Sequence, residues 1–298
     1  MIKRGDKDVE MRRCEDGGTG GETERDDVEP RTQSLELDVL GLELGAQRVP
    51  IRTLQLDPRI HRTVLGVQVQ EQSAPLKRSA VIVAAGRGTR MGEDKVWMPL
   101  CSMPVVAHSL KAFKACAGVE CIILVVGRDK LDRARSLVDG LGVDAIVCEG
   151  GNRRQDSVAN GLALLDGGGL VAIHDGARPM VTSTLIESCY EEAEIHGAAV
   201  AAIPVRDTIK KVTRDGWVYE TLDRASLWAV QTPQVFLVDL IRSAYGSLYE
   251  EVTDDAAAVE RLGHPVKIVQ GSPFNLKLTT REDLLLARAL MGDLEESC

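Results

Sequence analysis

From residue 79 onward the apolar residues come in short unbroken runs: AVIVAA (80–85), CIILVVG (121–127), AIVC (145–148), LVAIH (170–174) and AAVAAIP (198–204). These runs are too short for buried helices and lack the alternation of a half-exposed strand, so they predict strands covered on both faces. Amphipathic stretches between them predict helices near residues 104–117, 130–139, 157–165 and 183–196. Strands alternating with helices in this way predict an α/β fold, a doubly wound and mostly parallel sheet. In such a sheet ligands bind beyond the carboxyl ends of the strands, so the residues that follow each run are the candidates for function.

Two regions break this rhythm. Between residues 204 and 230 the pieces DTIKKVT and WVYETL flank Arg214, Asp215 and Gly216, and Asp-Gly between β-type runs predicts a hairpin. Inserted into an α/β domain, it has few core neighbours and is a candidate arm toward another subunit. The second region is the beginning of the chain. Residues 1–33 are charged, poor in large apolar side chains and interrupted by GGTGG, so they cannot offset their ordering entropy by burial. That stretch lacks the apolar core of a signal peptide, and its acidic content does not suit a transit peptide. Residues 34–72 show a weak period of two through Leu35, Leu37 and Val39. Residues 1–78 are therefore expected to be an extension, largely disordered or loosely structured, ahead of a domain spanning 79–298.

Composition narrows the partners. The 298 residues carry 36 Lys and Arg against 45 Asp and Glu, a formal charge of −9, which argues against a general grip on nucleic acid. No apolar run approaches the roughly 20 residues that span a bilayer. The seven cysteines are odd in number, form no C-x-x-C pair and mostly sit in apolar runs, which predicts a reducing, cytoplasmic setting. No histidine pair has metal-ligand spacing, and no protein metal site is expected. His174, at the end of an apolar run, reads as a packed core residue.

The segment AVIVAAGRGTRMGEDK (80–95) runs from a buried strand into Gly86-Arg87-Gly88, then supplies Arg90 and Lys95. Glycines let backbone amides approach a phosphate closely, and two cations in the same loop complete the layout of a polyphosphate cradle. A dinucleotide fingerprint would need Gly or Ala at Met91, and the Walker A pattern is absent. After the AIVC run, Gly150-Gly151-Asn152 forms a turn and Ser157 begins the next predicted helix, placing amides and a hydroxyl beside the cradle, although a serine there also reads simply as a helix cap. Asp175 ends the LVAIH run and Arg178 follows it. They read either as a structural pair or as a carboxylate that meets a substrate hydroxyl or an ion.

The pattern A-A-G-x-G-x-R-M-G resembles the nucleotidylyltransferase superfamily. With GGNRRQDSVANGL (150–162), HDGARP (174–179), VRDTIKKV (205–212), LWAVQTPQVF (227–236), TDDAAAVE (253–260) and NLKLT (275–279), the chain resembles the 2-C-methyl-D-erythritol 4-phosphate cytidylyltransferase family over nearly all of 79–298. The resemblance implies a Rossmann-like nucleotidyltransferase fold and cytidylyl transfer from CTP to a polyol phosphate, with Mg²⁺ bound mainly through the CTP phosphates. It assigns nucleotide contacts to Ala84, Ala85, Gly86, Gly88, Arg90, Lys95, Gly151, Asn152, Ser157, Asp175 and Gly176, with Gly176 leaving room for the ribose. It assigns acceptor contacts to Asp175, Arg178, Thr208, Arg224 and Lys277. Arg90, Lys95, Arg224 and Lys277 become the catalytic cations, and the hairpin arm becomes the homodimer contact that carries Thr208 and Arg224 into the neighbouring site. The chain departs from the family around Lys95, where Asp94 replaces a proline and Val96-Trp97 follow, and at Ser102-Met103-Pro104, where Gly-Lys-Pro is usual. The alternatives are a ribitol 5-phosphate cytidylyltransferase and an inactive nucleotide-binding regulator.

Overall fold

Strand β1 (Arg78–Ala84) shows how the apolar runs become a two-faced core. Successive side chains of a strand point to opposite faces, so Ala80, Ile82 and Ala84 enter one buried cluster and Val81 the other. The computed structural model describes residues 76–86 and 94–295, which fall in one structural unit. The expectation for residues 1–75 lies outside the described residues.

After β1 come a two-stranded hairpin, β2 (Pro99–Leu100) and β3 (Met103–Pro104), and helix α1 (Val105–Ala115). Strand β4 (Val119–Val126), α2 (Leu131–Gly140), β5 (Ala145–Glu149), α3 (Arg154–Ala163), β6 (Leu170–Asp175), α4 (Ser183–His196) and β7 (Ala198–Pro204) follow. The chain continues through the arm strands β8 (Lys210–Val212) and β9 (Val218–Thr221), then β10 (Trp228–Leu237), α5 (Val238–Gly246), α6 (Asp255–Glu260), β11 (Lys267–Gln270) and α7 (Arg281–Glu295). The seven-stranded sheet has the order β11-β7-β10-β6-β1-β4-β5. Its paired neighbours are parallel except β10, which runs against both β6 and β7. Residues of α1, α2 and α4 cover one face, and residues of α3, α5 and α6 the other. The fold is therefore α/β with a mostly parallel sheet, as the apolar runs predict.

Local chemistry sets the element ends. Thr182 caps α4 by accepting the Leu185 amide at 3.2 Å, and Gly197 ends the helix at φ 81°, a left-handed conformation that glycine adopts without steric cost. Helix α3 begins three residues earlier than the sequence suggests, so Ser157 lies inside its first turn. Its start is set by Asp156, whose carboxylate accepts the Arg153 amide at 3.1 Å. The predicted arm is present: β8 pairs with β9, and Gly216 sits at φ 85° in the turn between them. Among the described residues this pair joins no other strand.

Strand β10 departs from simple pairing. Trp228–Val230 pair with β7 in one register and Gln234–Phe236 in another, which leaves Gln231, Thr232 and Pro233 in the break. Such irregularities free backbone and side-chain groups to point elsewhere. The Thr232 hydroxyl accepts the Asp175 amide at 3.1 Å, and the Thr232 carbonyl accepts the Asn275 side-chain amide at 2.9 Å. One break thus ties the end of β6 to the loop after β11.

His174 is fully buried beside this junction. Its Nε2 lies 3.2 Å from the Arg178 carbonyl, which can only accept, so Nε2 carries the proton and Nδ1 receives the Thr232 hydroxyl at 3.1 Å. Burial pushes its pKa down to about 4, against the raising effect of Asp175. The unfolded chain takes up this proton near pH 6.5, the folded chain only near pH 4, so stability is constant above pH 6.5 and falls as pH drops toward 4. Between pH 7.5 and pH 5 this residue should remove about 2 kcal/mol of stability. Urea midpoints at the two pH values check it, and a His174→Gln variant should lose that part of the pH dependence.

Candidate active site

The carboxyl ends of β1, β5 and β6 open on one cleft of about 440 Å³. Ala84, Ala85 and Gly86 form the β1 side, and Lys95 faces them from the three-residue 3-10 turn Lys95–Trp97. Gly151, Asn152 and Ser157 contribute from the turn before α3, and Asp175 and Lys277 close the far side. Gly88 and Arg90 lie outside the described residues. Most of the expected nucleotide residues that the structure describes therefore share one cavity.

The turn before α3 is shaped by contact. A Cβ on Gly151 would come within 2.3 Å of the Asp156 Cβ, closer than real side chains approach. Its amide donates to Ser157 Oγ at 3.0 Å, and the same hydroxyl lies 3.2 Å from the Arg153 carbonyl as donor. Ser157 is thus the clasp that holds the turn. Gly176 is also explained by packing, because its missing side chain would meet Ala84, the Val83 carbonyl and Val106 at 3.2–3.3 Å. The side of Gly176 on which a Cβ would stand is filled by β1 and α1.

Asp175 carries the electrostatics of the site. Its Oδ1 accepts Arg154 Nε at 3.0 Å, and its Oδ2 lies 2.7 Å from Lys277 Nζ. Burial disfavours the carboxylate, but Arg154 and Lys277 outweigh that and hold its pKa well below the usual range. Arg154 continues beyond it, donating from both terminal nitrogens to the fully buried Asp255 at 3.0 and 2.7 Å. Tyr245 donates its hydroxyl to Asp255 at 2.5 Å. Burial alone would ease the loss of the Arg154 proton, and the two carboxylates reverse this and raise its pKa.

Arg154 was not singled out by reading the sequence, yet it links α3, β6 and α6. One signal was available: Arg154 is the first residue of α3, where the helix dipole disfavours a cation, so it needs nearby carboxylates. Of the two readings of Asp175, the structure gives it direct ion-pair partners other than Arg178. Arg178 turns away and donates to the Asn275 carbonyl at 2.7 Å, bracing the loop that presents Lys277. Thr208 and Arg224 are not gathered into the cleft of their own chain. They lie on the arm and its exit, where Arg224 donates to the Arg206 carbonyl at 2.7 Å.

The cleft therefore joins a close-approach turn, a lysine opposite the end of β1 and an ionised carboxylate held between two cations. A family model described as 2-C-methyl-D-erythritol 4-phosphate cytidylyltransferase matches residues 79–293. The chain belongs to this family. A relative from Dehalococcoides mccartyi carrying that name is 45% identical over 218 residues, covering 72% of this chain and 96% of the relative. One from Pelotomaculum thermopropionicum is also 45% identical, over 224 residues, with 72% and 94% coverage. The crystal structure of 4-diphosphocytidyl-2C-methyl-D-erythritol synthase from Anaerococcus prevotii superposes with a TM-score of 0.66 at 30% identity, covering 72% of this chain and 96% of that one.

Within this cytidylyltransferase fold, Arg154 should be a stability determinant as well as a site residue. Replacing it by Leu leaves Asp175 with one cation and Asp255 with none, and stranding a buried charge costs about 3–5 kcal/mol. Urea unfolding of Arg154→Leu at pH 7.5 should show a loss of that order. Arg154→Leu with Asp255→Asn should recover part of it.

Proposed function

We propose that the chain transfers the cytidylyl group of CTP to 2-C-methyl-D-erythritol 4-phosphate, releasing pyrophosphate and forming 4-diphosphocytidyl-2-C-methyl-D-erythritol in non-mevalonate isoprenoid biosynthesis. The observation that carries this reading is the shared cleft in which Lys95 and the Asp175–Lys277 pair face each other across the ends of β1 and β6, in a chain of this family.

The acceptor phosphate is already an anionic nucleophile, so the reaction needs alignment and charge neutralisation, not a general base. Asp175 fits that requirement, since a carboxylate held ionised by Arg154 and Lys277 accepts hydrogen bonds but takes up a proton poorly. In the proposed assignment its remaining lone pairs receive a substrate hydroxyl, while Lys277 offers its ammonium to the acceptor phosphate. The amide turn at Gly151 and Asn152, clasped by Ser157, borders the cytosine. Lys95, with Arg90 from the segment outside the described residues, stabilises charge on the transferring and leaving phosphates.

Asp175 is the one carboxylate among the described residues lining the 440 Å³ cleft, and both of its oxygens already face cations, while Asp94, Asp129 and Glu149 line the adjoining cavity of about 730 Å³. This donor set fits a magnesium ion held by the triphosphate oxygens more than by the protein. When bound, such an ion disperses the negative charge of the leaving pyrophosphate.

The arm completes the proposed site from a second copy. Val212, Trp217, Val218 and Tyr219 are all more than half exposed on it, an apolar surface that suits a partner contact. In that homodimer Thr208 and Arg224 reach the neighbouring acceptor site. No described helix is long and apolar enough to cross a membrane. The described cysteines are unpaired, and burial pushes the Cys189 thiol up to about 12. Buried thiols such as Cys116 and Cys189 fit the reducing cytoplasm in which we place the enzyme.

Shared sites give a direct test in mixed chains. Arg224→Ala and Lys95→Ala homodimers should each lose roughly a hundredfold to a thousandfold in turnover. Heterodimers of the two chains should regain up to about half of wild-type activity, because one site collects both defects and the other neither. Verified heterodimers that stay inactive would contradict the shared site, and a wild-type chain without turnover would contradict the activity itself.

A further inference from the structure

Lys95 stands on a very small element. The turn Lys95–Trp97 has three residues, and its internal backbone bonds are Trp97 N to the Asp94 carbonyl at 2.9 Å and Met98 N to the Lys95 carbonyl at 3.3 Å. So short a helical turn is not stable on its own. Packing helps to place it, with Val96 and Trp97 4% and 5% exposed in the cluster that includes residues of α1 and α2.

The indole is held in an unusual way. Trp97 Nε1 is buried with no hydrogen-bond partner among the described residues. The Arg133 guanidinium of α2 lies 4.7 Å from the indole ring centre, and Arg133 Nη2 donates to the Trp97 carbonyl at 3.4 Å. One side chain therefore grips both the ring and the backbone of the turn, and cation–π stacking favours arginine over tryptophan above other pairs. Arg133 does not line the cleft.

We infer that Arg133 and Trp97 form the positioning device for Lys95, fixing through the three-residue turn where the ammonium stands in the nucleotide cleft. Arg133 is a positioning residue, since it acts through Trp97 and not on substrate. The inference rests on the proposed role of Lys95.

A double-mutant cycle in the full-length chain separates the two. Turnover is measured with CTP and 2-C-methyl-D-erythritol 4-phosphate, and CTP binding is measured by calorimetry without acceptor. Arg133→Met keeps the apolar stem but removes the stacking cation and the donor. It should lower kcat/KM for CTP about fivefold, weaken CTP binding in proportion and leave the KM of the acceptor unchanged. Arg133→Lys, which keeps the charge without the planar fork, should recover part of the loss. In a Lys95→Ala background, Arg133→Met should cost less than twofold further, because the group it positions is gone. Equal losses in both backgrounds would show that Arg133 acts on the fold at large and would overturn the inference, as would an Arg133→Met enzyme with wild-type kinetics. If Lys95→Ala alone changes neither turnover nor CTP affinity, the role of Lys95 fails first and the inference falls with it.

Discussion

The site depends on keeping one carboxylate charged where burial opposes charge. Asp175 closes the central strand β6, and its two oxygens are each matched to a cation, Arg154 at 3.0 Å and Lys277 at 2.7 Å. Buried ion pairs stabilise little when their partners are incompletely satisfied. Here Arg154 spends its remaining donors on Asp255, and Tyr245 supplies a further hydrogen bond to Asp255. The result is a network in which α3, α5, α6, β6 and the loop after β11 are held in register by charge.

Geometry around it follows from the break in β10. A continuous strand would have committed Thr232 to the ladder. The break instead turns its hydroxyl to the Asp175 amide and the His174 ring, and its carbonyl to Asn275. Asn275 and Arg178 then hold the loop from which Lys277 projects. Leu278 packs with Leu100, Val105 and Leu284 in a separate small cluster, which fastens the next residue of that loop to α7 and the β2–β3 hairpin. Lys277 is thus mounted on packed structure, as a preorganised charge must be.

Much of this was legible because strands buried on both faces leave a plain signature. The runs AVIVAA, CIILVVG and LVAIH became β1, β4 and β6, and Asp-Gly marked the arm turn. The cleft residues Ala84 to Gly86, Lys95, Gly151, Ser157, Asp175 and Lys277 were readable from strand ends and motifs together. What the letters hid were partners distant in sequence. Arg154 and Asp255 are 101 positions apart, and nothing local marks them as a pair. The nearness of Arg178 in sequence left its role beside Asp175 open, and the direct partners Arg154 and Lys277 come from other elements. The start of α3 was misplaced because Ser157 looked like a cap, whereas the cap is made by Asp156 reaching back to Arg153.

In the proposed function these features place an anionic acceptor against a nucleotide by fixed charge. The most direct measurement is pyrophosphate release from CTP and Mg²⁺ with 2-C-methyl-D-erythritol 4-phosphate, beside ribitol 5-phosphate and a control without acceptor. The account predicts rapid release with the methylerythritol phosphate and little in the other two. Release confined to ribitol 5-phosphate would contradict the assigned acceptor, and release with neither would contradict cytidylyl transfer by this chain.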